Sequence, residues 1–201
     1  MSIVAISASV LLYQVFWYLF IKEFKVKNIF YLVSIILTGV GLGAYYYFSQ
    51  TIGLELIPYA LILLILVNLS IVDCKYFEVD GKSYWYLLLP TIAVLILTYE
   101  ELALHLFSFI LIYGIFWLID KAVGVEKIGG ADVKILLILS LTITFYDGVL
   151  LLSLSFIIDV ILFGLKFVIN KIRGINDKTK IPMIVSITIS WVITCLMNVV
   201  I

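Results

Sequence analysis

ELIPYALILLILVNLSIVD, residues 55–73, reads as a helix made for hydrocarbon rather than for water. Between Glu55 and Asp73 no residue is charged, and a helix needs about 20 such residues to cross a bilayer core. The run ends on a carboxylate, Asp73. A charged group beside hydrocarbon is costly, so one that is kept there marks a functional candidate.

Seven further segments have the same character: 3–21, 28–49, 83–98, 102–120, 132–146, 149–170 and 181–201. Those at 83–98 and 132–146 are short, and their ends are expected to continue into the membrane interface. The expected fold is therefore an all-α polytopic membrane protein with about eight transmembrane helices. Composition agrees: of 201 residues 65% are hydrophobic and 13% charged, with a mean hydropathy of +1.25, where soluble domains carry roughly 25% charge. The polar intervals are too short to bury a core of their own. A formal net charge of zero gives no reason to invoke nucleic acid. No sequence repeat or low-complexity tract divides the chain.

Met1 and Ser2 put no basic charge ahead of the first apolar run, whereas Lys22, Lys25 and Lys27 follow it. A cleaved signal has the opposite polarity, so a retained first span with an outside N-terminus is expected. The intervals 22–27, 74–82, 121–131 and 171–180 then face the cytoplasm. All 13 Lys and Arg residues fall in or beside those intervals, while Glu55, Glu100, Glu101 and Asp147 occupy the opposite side. That asymmetry follows the positive-inside rule. Tyr45, Tyr46, Tyr47 and Phe48 fit an interfacial aromatic belt. Cys74 and Cys195, the two cysteines, are expected toward opposite faces, which argues against a disulfide, and their spacing offers no zinc site.

Asp132 matches Asp73 in depth. It opens the segment after Gly129, Gly130 and Ala131, again at the cytoplasmic face. Each aspartate has a plainer reading: Asp132 as a helix N-cap, Asp73 as an interfacial charge paired with Lys75. Together, however, two carboxyl groups that share one proton can activate water against a peptide bond.

The sequence around both residues resembles the type IV prepilin peptidases and preflagellin (prearchaellin) peptidases, membrane aspartic proteases of the GxGD type. Gly129-Gly130-Ala131-Asp132-Val133-Lys134 is similar to the GxGD motif in its archaeal form. DCKYFEVDGK, Asp73 to Lys82, is similar to the family's other aspartate motif. Two spans separate the motifs, as in that family. The resemblance covers about residues 55–201 and implies a six-helix peptidase core over 51–201, with two additional helices in 1–50. It implies an aspartic endopeptidase that removes basic leader peptides from precursors of pilins or archaellum subunits, with Asp73 and Asp132 as the catalytic pair and no cofactor. Gly129, Gly130 and Lys134 would support the motif. Glycine there would permit unusual dihedrals and close approach of a substrate backbone. Glu78, Asp80, Asp120 and Glu126 are candidate contacts for a basic leader, or else simply balance neighbouring lysines. The cysteine-rich loop of bacterial relatives is missing, so no methyltransferase activity is assigned.

Helix dipoles suggest a division of labour. Asp132 at a helix N-terminus should favour the ionised form and Asp73 near a C-terminus the protonated one. Asp159, in the middle of its span, is a candidate for an ion path or for an interhelical hydrogen bond to Ser or Tyr. His105, near Glu101, is expected to pack or to hydrogen-bond rather than to bind metal. Lys134 should snorkel to the surface. Two other classes compete: a small ion- or proton-coupled transporter using Asp73, Asp132 and Asp159, which would be expected to show inverted repeats, and a silent assembly partner that would tolerate loss of both aspartates.

Overall fold

The computed structural model describes residue 36 and residues 56–76, 83–123, 130–173 and 182–200. Among them are six α-helices and no strand: α1 Leu56–Tyr76, α2 Ser83–Leu97, α3 Leu102–Val123, α4 Gly130–Ser140, α5 Phe145–Arg173 and α6 Met183–Val200, with a 3-10 turn at Tyr99–Glu101. The expected spans at 3–21 and 28–49 lie outside the described residues, apart from Ile36.

Helix α1 is apolar on all sides, the pattern of a buried element. Of its Ile57–Cys74 stretch 67% is buried, against 22% for Tyr99–Ala122 and for Phe145–Arg173. The helices pack in a ring: α1 on α2, α2 on α4, α4 on α3, α3 on α5, α5 on α6, and α6 back on α1. Among the described residues three helices are long and apolar enough to cross a membrane, those holding Ile57–Cys74, Tyr99–Ala122 and Phe145–Arg173. Leu89, Ile96, Ile110, Leu118 and Val160 point outward, while Asn68, Thr91, Ser108, Ser155, Ser186 and Ser190 are buried. In water that distribution would be unfavourable. In lipid it lets polar side chains bond inside the bundle.

Several serine and threonine hydroxyls do so, whereas those of Thr91 and Ser108 have no partner among the described residues. Ser155 donates to Leu151 O and Thr194 to Ser190 O within their own helices. Between α1 and α6, Ser70 Oγ lies 2.8 Å from Thr188 Oγ1. At the far end of the bundle Trp191 Nε1 donates to Thr142 Oγ1 at 3.1 Å and stacks on Tyr59. His105 is buried there as well: Nδ1 donates to Ile143 O at 2.9 Å, Nε2 lies 3.1 Å from Thr98 Oγ1, and Glu101 stands 4.0 Å away. It clamps the start of α3 to the turn after α4, as a hydrogen-bonding histidine.

One expected span is corrected. Residues 132–146 are not a single helix: α4 ends at Ser140, residues 141–144 turn, and α5 begins at Phe145. Ser140 and Thr142 bond back to Leu137 O and Leu139 O and close α4. Thr144 starts α5: its carbonyl accepts from Gly148 N at 2.9 Å, and its hydroxyl donates to the Asp147 carboxylate in the first turn. Thr-x-x-Asp has the spacing of a capping box, and the bond here joins the two side chains.

Candidate active site

Asp73 stands in the last turn of α1 and is buried. Its Oδ2 accepts the backbone N–H of Ile184 at 3.0 Å. Ile184 is in the first turn of α6, just after Pro182, where amide hydrogens lack intrahelical acceptors. The carboxylate of one helix thus caps the start of another. Asp73 consequently lies at two helix ends at once, the C-terminus of α1 and the N-terminus of α6. The N-terminus of α6 favours negative charge on Asp73 and opposes the C-terminus of α1, which narrows the dipole distinction from Asp132.

Asp132 is the third residue of α4, in its first turn rather than at the cap position, and is half-buried. The charges of Asp73 and Asp159 both reach it. Lys134, two residues on, is exposed and holds its Nζ 4.9 Å from the Tyr84 ring centroid, joining the starts of α4 and α2. Gly130 begins α4, and a Cβ built there would meet nothing within 4 Å. No packing within the described protein requires glycine at that position.

Asp159 lies where sequence position misplaces it. It is central in α5, but the buried residues of α5, Asp147 to Ser155, all precede it. The second half of the helix runs on with Val160, Ile161, Phe163 and Leu165 exposed. Asp159 is therefore at the edge of the packed bundle, on the side of α6's first turn. Its Oδ1 accepts the Ser186 hydroxyl at 2.9 Å, an interhelical hydrogen bond to a serine. Its charge reaches both Asp73 and Asp132. Ile184 N–H and Ser186, which engage these carboxyls, have no sequence signature of their own.

Asp120, in the last turns of α3, is half-buried; its Oδ1 is enclosed and has no hydrogen-bond partner among the described residues. Gly129, Glu78, Asp80 and Glu126 lie outside the described residues. Cys74 and Cys195 are both free thiols, the first exposed and the second buried. Among the described residues no group of three His, Cys, Asp or Glu side chains is arranged to hold a metal ion.

Long apolar helices, an interior of hydroxyls and carboxyls gathered at helix ends define an all-helical membrane protein. The sequence model of the type IV leader peptidase family matches residues 60–164, just over half of the chain and including Asp73, Asp132 and Asp159. The chain belongs to that family, and is thereby a protease. Comparison with curated proteins gave no match, and neither did comparison with solved structures.

Proposed function

We propose that the protein is a multi-pass aspartic endopeptidase that cuts leader peptides from type IV pilin-like or archaellin precursors at the cytoplasmic face of the membrane, with Asp73 and Asp132 as the catalytic pair. The observation that carries this reading is that the charge of Asp73, at the end of α1, reaches the Asp132 carboxyl at the start of α4, in a chain of the type IV leader peptidase family.

Two carboxyls so placed resist full ionisation and hold one proton between them. The ionised member takes a proton from water as the oxygen attacks the scissile carbonyl carbon, while the protonated member hydrogen-bonds the carbonyl oxygen. Collapse of the tetrahedral adduct breaks the C–N bond, and the proton gained from water passes to the leaving amine. Among the described residues nothing lies within 4 Å of a Cβ built at Gly130, which supports passage of a substrate backbone there. Asp120 is a candidate acceptor for a basic leader side chain, with Glu78, Asp80 and Glu126 as further candidates. Lys121, Lys134, Lys166, Lys171 and Arg173 stand at or beside this end of their helices, which supports a cytoplasmic orientation.

The test incubates purified protein with pilin-like precursors beside Asp73→Asn and Asp132→Asn. Each substitution should cut leader removal by about 10²- to 10⁴-fold, the range of general acid–base catalysis. Near-normal cleavage by either variant removes that residue from the pair.

A further inference from the structure

Among the described residues Asp73 has one backbone donor, Ile184 N–H, which ties its carboxyl to the first turn of α6. That turn is held from two sides. On the α1 side, Ser70 Oγ lies 2.8 Å from Thr188 Oγ1 and 3.3 Å from Ile184 O. On the α5 side, the hold is Ser186 Oγ on Asp159 Oδ1 at 2.9 Å, two residues from Ile184. Ile184 and Ser186 are both fully buried, so the turn has little room to relax elsewhere.

We infer that Asp159 is a positioning residue for the carboxyl pair: through the Ser186 hydroxyl it holds the α6 turn whose Ile184 N–H places Asp73. The inference rests on the reading of Asp73 as a member of that pair. A carboxyl is an expensive way to stick two helices together, more so where its charge reaches Asp73 and Asp132. It is also a stronger acceptor for a hydroxyl than a neutral oxygen. A stiff hold on the turn is what the geometry of a shared-proton pair needs, since a displacement of 1 Å can cost about 10²-fold in rate.

Four variants separate this role from a direct effect of charge: Asp159→Ala, Ser186→Ala, the two combined, and Asp159→Asn, which keeps an acceptor oxygen without the charge. Two readouts are taken on the full-length protein in detergent, kcat and KM on a pilin-like precursor, and amide hydrogen exchange at Ile184 without substrate. Each alanine variant should lower kcat roughly 10- to 100-fold at unchanged KM and speed exchange at Ile184. The double variant should be no worse than either single one, because both break one bond, and Asp159→Asn should restore most of kcat and slow exchange again. The inference fails if Asp159→Asn is as damaging as Asp159→Ala, if Ser186→Ala leaves kcat unchanged, or if Ile184 exchange stays at the wild-type rate. Exchange is read without any precursor. A wild-type protein that cleaves nothing would thus overturn the proteolytic reading, while the hold on α6 would still be decided on its own.

Discussion

Gly130 and Asp73 separate what a residue does for the fold from what it does for a substrate. At Gly130 a methyl group meets nothing within 4 Å, and alanine is the better helix former by roughly 0.5–1 kcal/mol. Gly130→Ala is therefore expected to leave the melting temperature unchanged or slightly raised. If a precursor backbone passes over this position, the same variant slows cleavage at least tenfold; unimpaired cleavage would show that the glycine is not there for the substrate. At Asp73 the role is double. Asp73→Asn keeps an oxygen for Ile184 N–H, so it should fold like wild type while losing activity, whereas Asp73→Ala leaves that buried donor unpaired at a cost of about 1–3 kcal/mol. Thermal melts of the two variants side by side measure the difference. That both aspartates end apolar runs is legible in the chain. The Ile184 contact is not, because it joins residues 111 positions apart through a backbone N–H that any residue but proline would supply.

Helix ends and crossings show where one-dimensional reading succeeds and where it fails. The expected spans 83–98 and 102–120 agree closely with Ser83–Leu97 and Leu102–Val123, since hydropathy alone delimits a helix bounded by polar intervals. Residues 132–146 misled because Thr142, Ile143 and Thr144 are apolar enough to continue a hydrophobic run. The usable signal was Thr144 three places before Asp147, a cap rather than a midpoint. Where α3 crosses α5, a Cβ at Gly148 would overlap Ser108 Oγ and stand 3.3 Å from Ser108 Cβ. Gly148→Ala should thus destabilise the bundle by about 1–3 kcal/mol, as overpacking does. Ser108→Ala, which removes a buried hydroxyl that lacks a partner among the described residues, should recover part of that loss in the double variant. Melting of all three proteins in detergent checks both claims. At the end of the bundle away from Asp73, His105→Ala leaves Ile143 O and Thr98 without their ring partner. It should cost stability on the order of 1–3 kcal/mol without a specific loss of kcat, which a melt paired with a cleavage assay would reveal.

At the scale of the whole molecule the two cysteines report on orientation. Cys74 is exposed in the last turn of α1, and Cys195 is buried toward the other end of α6. A membrane-impermeant maleimide should label Cys74 only when it reaches the cytoplasmic face, for instance in inverted vesicles, and should leave Cys195 unlabelled until the protein is denatured. A cysteine introduced at the exposed Glu101 in a Cys74→Ser background should label from the opposite face. Labelling of Cys74 from outside would reverse the proposed topology and with it the side on which precursors are met.

The one-dimensional pattern determined that the chain is helical and apolar, that its positive charge is confined to alternate intervals, and that Asp73 and Asp132 stand out from their surroundings. These are properties of local composition: hydrocarbon length, charge sign and motif spacing act over a turn or two of helix. Tertiary structure decided that Asp159 belongs beside them, that Asp73 caps α6, and that α4 stops at Ser140 rather than crossing in one piece with 141–146. Depth along a helix axis depends on which neighbour lies alongside, and α5 outruns the body of the bundle, so the centre of its sequence is not the centre of the fold.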